Sequence, residues 1–332
     1  MKLKVKHIII YMISFSFGGY INIIQSKHIH IQYNQPHTYI NLSLRDYSKS
    51  IMLECIKEDN NIFNPYEYIY TPFDAFTPPV CKFSASHNSF FILIELLHQF
   101  DFLFEDVIKS IHIDSPGFIE ALDYFRNQPK DIRHKLSTHN MNLKKLTYLY
   151  NKYAHSIDFI TVCIDYNEDD TLNYIYYQIL LSMCIQKQGG TLILKIGDTF
   201  TGLSIDILYL LNYLYDELYL TKPFVSDQND SSKYLVCINF KMVSNIKDII
   251  HKCLNTLDMS QPITRLFNGF IPIIFIDKII ELNLIFGQKH IEHIKHKITN
   301  KLKPSELQID IIKKTYLSKC IKWCNKNNLP IN

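Results

Sequence analysis

The stretch "SIHIDSPGFIEALDYF", Ser110 to Phe125, decides how the rest of the chain is read. Ile111 and Ile113 have the spacing of a short buried strand, and Pro116-Gly117 opens an amphipathic helix. A strand that turns directly into a helix is where an α/β nucleotide-binding protein places its ligand loop. Such loops commonly use two or three glycines, because only glycine lets backbone approach a ligand without a Cβ in the way. This one has a single glycine, Gly117.

Downstream, strand and helix patterns alternate. "SIDFITVCID" (156–165) reads as a central parallel strand, and "TLNYIYYQILLSMCIQKQ" (171–188) as a helix stopped by Gly189-Gly190. "TLILKI" (191–196) is a strand, "GLSIDILYLLNYLYDEL" (202–218) a helix, and "YLTKPF" and "KYLVCINF" are two further strands. This alternation predicts an α/β fold with a doubly wound, mostly parallel sheet. The last two strands follow each other without a helix, so one of them should run antiparallel. Upstream, "SFFILIELLHQFDFLFEDVIKS" reads as one long helix or a helix pair. Beyond Lys241 the patterns are helical only. Three regions follow: an irregular 1–80, a core 81–242 and a helical 243–332.

Composition narrows the function classes. Of 332 residues, 47% are hydrophobic and 20% charged, which is globular and not disordered. Net charge is only +3, so no global field demands a polyanionic partner. The eight cysteines show no CxxC spacing and several lie in apolar runs, as expected of reduced thiols in a cytoplasmic setting. The apolar run from Ile8 to Ile24 is broken by serines, glycines and an asparagine, and reads more readily as a buried strand and helix pair than as a membrane anchor. His290, His293 and His296 recur every third residue, but no carboxylate or cysteine completes a metal site, and a solvated basic face explains them.

Taken in order, "DSPGFIEAL" (114–122), "GGTLILKIGDTF" (189–200) and "LTKPFVSDQNDSSKYLVC" (220–237) resemble the FtsJ-like RNA 2′-O-methyltransferases. With "NPYEYIYT" (64–71) and "KCIKWCNKNNLPIN" (319–332), the chain looks most like the cap-type branch found in large nucleocytoplasmic DNA viruses. The resemblance implies a Rossmann-like sheet that binds S-adenosylmethionine at the carboxyl ends of its strands, with RNA, capped mRNA included, as partner. It also implies a Lys-Asp-Lys-Glu tetrad that orients or deprotonates the ribose hydroxyl.

Carried over residue by residue, the central lysine is Lys195, where burial of an unpaired charge would be costly without a functional reason. Where the family has its first lysine, in a pattern like "SFFKLIE", this chain has Ile92. The aspartate's place is taken by Cys163, and Asp165 is a weak substitute about 6 to 7 Å further along the strand. The glutamate's place is taken by Ser232. The cofactor loop, Asp114, Ser115, Pro116, Gly117 and Phe118, is one glycine short of a "PGGF" pattern. Losing one residue there turns the following helix by about 100° or tightens the turn. Residues 128–156 look helical and basic and offer no strand ending in an acid to hold ribose hydroxyls.

These departures lead to the expectation of a catalytically impaired methyltransferase fold kept as an RNA- or protein-binding module, in the host cytoplasm or a virion. S-adenosylmethionine is the cofactor if the chain is active. The competing expectation is an active enzyme working through Lys195, with a membrane-attached structural protein ranked below both. "HKLSTHNMNLKKL" (134–146) and "QKHIEHIKHKITNKLK" (288–303) are the candidate phosphate contacts.

Overall fold

Isoleucine-rich runs build the strands. In the computed structural model the described residues are 14–16, 24–33, 64–102, 106–137, 143–163, 171–228, 230–256, 261–268, 271–299 and 306–332. The strands are β1 (Ser14–Ser16), β2 (Ile29–Tyr33), β3 (Lys109–Ile113), β4 (Ile132–Leu136), β5 (Ile157–Val162), β6 (Gln186–Ile196), β7 (Tyr215–Thr221), β8 (Lys233–Phe240) and β9 (Ile263–Phe267). The helices are α1 (Ser89–Gln99), α2 (Pro116–Arg126), α3 (Leu143–Tyr153), α4 (Thr171–Ile185), α5 (Gly202–Leu214), α6 (Ile246–Thr256), α7 (Ile273–Thr299) and α8 (Glu306–Lys326).

The main sheet has the order β1-β7-β8-β6-β5-β3-β4. Strands β4, β3, β5 and β6 are mutually parallel, and β8 runs antiparallel to both β6 and β7. The expected α/β, Rossmann-like sheet is therefore present, and the expected antiparallel strand is β8. A second sheet pairs β2 with β9.

The period-two alternation of side chains divides the core into two layers. Ile160, Val162, Leu192 and Leu194 face a core shared with α4, α5 and α7. Phe159 and Ile193 face the opposite core, which is filled by α1, α2 and the end of α8, including Phe91, Phe118, Leu122 and Trp323. Segments before and after the sheet close this second layer. Asn64 caps a short 3₁₀ turn at Pro65–Ile69, Cys320 Sγ reaches Pro65 O at 3.1 Å, and Lys82 N donates to Pro330 O at 2.9 Å.

Several local expectations are corrected. The basic stretch after α2 is not simply helical, because β4 forms in it, pairing in parallel with β3 from Lys109↔Ile132 to Ile113↔Leu136. Gly189-Gly190 does not end α4. That helix ends at Ile185, and the two glycines shape an irregularity in β6, between the pairs Ile157↔Gln186 and Phe159↔Thr191. Gly189 has φ +79°, and a Cβ on Gly190 would lie 2.9 Å from Lys187 O and 3.0 Å from Asp158 O. The segment after Lys241 is not helical only, since β9 lies in it, and α7 runs unbroken through Gly287. The helix opening at Ser89 ends at Gln99, and the described residues between it and β3 form no second helix. Of the apolar N-terminal run, β1 and Ile24 are described and the rest lies outside the described residues. Among the described residues no helix is long and apolar enough to cross a membrane.

Candidate functional site at the carboxyl edge of the sheet

The parallel strands β3, β5 and β6 deliver Asp114, Cys163 and Lys195 to the same edge of the sheet. Because β8 is antiparallel, the β7–β8 connection, residues 222–232, returns to that same edge. The register pairs Lys195 with Tyr234 and Ile196 with Lys233. Lys195 continues the face of Ile193, so its side chain lies on the α1/α2 side of the sheet and is 17% exposed.

The tetrad positions carried over from sequence are only partly assembled. Ile92, on α1, is half-buried and packs on the apolar second layer, so no charge comes from there. Cys163 is half-buried, with Sγ 3.8 Å from Tyr234 Oη. Asp165 lies outside the described residues. Ser232 is buried and brings a hydroxyl where the resemblance implies a carboxylate.

One residue that the motif reading passed over stands in the gap. Asp230 places Oδ2 4.0 Å from Lys195 Nζ. Its carboxylate is held by Ser232, whose Oγ donates to Oδ2 at 2.5 Å and whose backbone N–H donates to Oδ1. These bonds and the charges of Lys222 and Lys195 outweigh burial and lower the Asp230 pKa. Lys222 is the second omission. Its Nζ donates to the backbone carbonyls of Asp230 and, at 3.0 Å, of Ser232. Burial pushes the Lys222 pKa down to about 8, with Asp230 opposing and Lys233 adding to the shift. A residue-by-residue alignment could not find Asp230, because it sits two positions before the place where an acid is expected. "TKP" before an Asp- and Ser-rich loop was the available signal.

The loop carrying these groups is anchored at its other end. Glu95 of α1 accepts Phe224 N at 3.0 Å and Val225 N at 3.2 Å. Asn64 Nδ2 donates to Phe224 O at 2.7 Å and Ser226 O at 2.9 Å. Glu95 is fully buried, and desolvation raises its pKa to about 7 despite those two amides.

The α2 turn is tight and already occupied by protein. Gly117 N donates to Ser89 Oγ at 3.1 Å, and a Cβ there would lie 2.6 Å from both Ser89 Oγ and Phe90 N. Gly117 is thus spent on the close approach of α1. Asp114 takes the left-handed conformation, φ +48°, which aspartate tolerates better than most residues. Ser115 Oγ bonds Ile113 O at 2.7 Å, Pro116 has no N–H, and Phe118 is buried with its N–H on Ser115 O at 3.2 Å. β4 ends at Leu136-Ser137, without an acid. Behind the turn, His112 is buried between Ser110 Oγ at 3.0 Å and Thr161 Oγ1 at 2.8 Å, and desolvation drives its pKa to about 3. It is a neutral strut between β3 and β5. Among the described residues no group of three His, Cys, Asp or Glu side chains is arranged to hold a metal ion.

No family model matches the chain. It is 40% identical over 76 residues to cap-specific mRNA (nucleoside-2′-O-)-methyltransferase 1 of Trypanosoma cruzi, covering 23% of this chain and 21% of that protein. It is 30% identical over 83 residues to the inactive cap-specific mRNA (nucleoside-2′-O-)-methyltransferase 1B of Caenorhabditis briggsae, covering 24% of this chain and 10% of that one. It is 26% identical over 160 residues to the uncharacterized protein R383 of Acanthamoeba polyphaga mimivirus, covering 48% of this chain and 43% of that one. The resemblance implied by the motifs is borne out as sequence similarity, to cap methyltransferases and to a giant-virus protein. In each case the chain spans less than half of the relative's length.

Proposed function

We propose that this chain is a cap-type RNA 2′-O-methyltransferase relative that binds S-adenosylmethionine and capped RNA but transfers the methyl group slowly, so that binding is its main remaining capacity. The observation that carries this reading is the mixed state of one edge of the sheet. Lys195 is kept half-buried beside an acid, whereas Ile92 and Cys163 bring neither positive nor negative charge to the positions where the resemblance implies both. Groups that act as a unit in catalysis lose orders of magnitude when single members are removed. Similarity to one relative named a cap-specific methyltransferase and to another named inactive, over about a quarter of the chain each, is compatible with this and does not choose between the two readings.

The residues that would hold S-adenosylmethionine are those of the α2 turn, Asp114 to Phe118. They fit it in part. Asp114 stands half-exposed at the mouth, but the Gly117 and Phe118 amides are engaged within the protein, and no acid follows β4. Weak binding is expected. When bound, the cofactor supplies an electrophilic methyl group. Lys195 is placed to hold or orient the attacking hydroxyl, and Asp230 to fix the lysine's direction and charge.

A second reading, an active enzyme working through Lys195, is favoured by Asp230 alone, which puts an acid back where Ser232 lacks one. Calorimetric titration with S-adenosylmethionine and with capped RNA, followed by transfer assays on wild type and Lys195→Ala, separates these outcomes. Binding with slow, Lys195-dependent transfer supports the proposal. Absence of heat with both ligands refutes it.

A further inference from the structure

We infer that Asp230, braced by Ser232 and Lys222, is the positioning carboxylate for Lys195, a role that has moved two residues along the chain from position 232. This deepens the proposal above and rests on its assignment of Lys195 to the site.

Asp230 reaches Lys195 at 4.0 Å from a loop, and loops seldom hold a charge in a fixed place. This loop is fastened at both ends. β8 begins at Lys233, registered on Ile196, which fixes the loop's end. Glu95 and Asn64 take the amides and carbonyls of 224–226, which fixes its start. Lys222, the loop's first residue, ties the two ends together by bonding the carbonyls of Asp230 and Ser232. Ser232, at the position where a carboxylate is implied, gives both its hydroxyl and its amide to Asp230. The serine has therefore become the acid's support.

Stability does not explain the arrangement. An ion pair with side chains 17% and 38% exposed contributes little, and bringing Lys222 near Lys195 adds like-charge repulsion. The groups facing Lys195 differ in kind. The 222–232 loop contributes Asp230 and Lys222, β8 contributes the Tyr234 hydroxyl, and the end of β5 contributes the Cys163 thiol. α1 lines the same side of the sheet, and its Ile92 is uncharged. Among these, Asp230 is the one that favours the charged, directed form of the lysine.

The test uses the full chain and needs neither cofactor nor RNA. Lysines are acetylated by a brief pulse of N-hydroxysuccinimidyl acetate between pH 6 and 11, and modification of Lys195 is quantified by mass spectrometry. Only the neutral amine reacts, so the pH midpoint reports the lysine's charge. Relative to wild type, Asp230→Asn should lower the Lys195 midpoint by about 1 unit, a roughly tenfold rise in reactivity at a given pH below it. Asp230→Glu should restore most of the wild-type midpoint, and Ser232→Ala should give a smaller shift of the same sign. Exposed Lys322 on α8 should be unchanged in all four proteins, which controls for the reagent, and unchanged urea midpoints show that the fold is intact. Equal Lys195 midpoints in wild type and Asp230→Asn, with Lys322 unchanged, overturn the inference. Absence of methyl transfer in wild type would touch only the reading on which it rests.

Discussion

Glu95 ties the seating of the β7–β8 loop to pH. It is fully buried, and its carboxylate takes the amides of Phe224 and Val225, the residues that seat the loop carrying Lys222 and Asp230. Desolvation raises its pKa from 4.5 to about 7, with Trp323 and Lys326 acting in the opposite direction. A carboxyl whose folded pKa lies above its unfolded value binds more protons when folded. Its contribution to stability is then full below the unfolded pKa and lost as pH rises through the folded one. Here the window runs from about pH 4.5 to about pH 7. At 1.36 kcal/mol per unit, the loss amounts to roughly 3 kcal/mol.

Glu95→Gln keeps the shape and removes the titration. Urea denaturation of both proteins at pH 5, 6, 7 and 8 gives the comparison, because other titrating groups cancel in the difference. The stability of wild type minus that of the variant should fall by roughly 2 to 3 kcal/mol from pH 5 to pH 8. The glutamine side chain keeps one acceptor for two amides, which shifts the variant's curve by about 1 kcal/mol at every pH without changing its slope. Parallel curves would mean that burial does not raise the Glu95 carboxyl above its ordinary value, and this pH dependence would fail.

Three further outcomes follow from the same structure. Gly117→Ala should destabilise by about 1–3 kcal/mol, because its Cβ would sit 2.6 Å from Phe90 N, whereas Gly197→Ala, with nothing within 4 Å, should stay within about 0.5 kcal/mol; urea midpoints decide this. Arg265→Met should cost about 3 kcal/mol at pH 7, since it leaves the buried Asp206 carboxylate without the guanidinium that bonds it at 2.9 and 3.0 Å. The Asp206 pKa is already raised by burial and should rise further in that variant, so the deficit should shrink at pH 5. Ile92→Lys with Cys163→Asp should raise methyl transfer to capped RNA by at least about tenfold if those positions are the missing charges; an unchanged rate in a folded variant would remove them from the site.

The parts legible in sequence were those where burial dictates residue type. β5, the 191–196 half of β6 and α5 are mostly apolar because both faces of a central parallel strand, or all sides of a covered helix, meet other side chains. β4 was missed because it is the sheet's edge strand, and "IRHKL" shows a partly exposed pattern with no apolar alternation. β9 was missed because five residues, "ITRLF", are too short to stand out within a helical tail. Gly189-Gly190 carried the signal of a helix end, yet the same conformational freedom serves a strand irregularity, and sequence alone cannot tell the two uses apart. Lys195 was legible because a lysine at the end of an apolar strand demands a partner. The partner was not, because Asp230 meets Lys195 only through the path of the β7–β8 loop. Sequence position places a carboxylate along the chain, whereas the charge of a lysine responds to where that carboxylate lies in space.

On the proposal above, this edge of the sheet binds a methyl donor and RNA with an incomplete catalytic set built on Lys195. The most direct test is single-turnover transfer of labelled methyl from S-adenosylmethionine to a capped RNA by excess protein, measured for wild type and Lys195→Ala. The account predicts slow transfer by wild type that falls to background in Lys195→Ala, with RNA binding retained by both. Rapid multiple turnover by wild type, or transfer indifferent to Lys195→Ala, would contradict it.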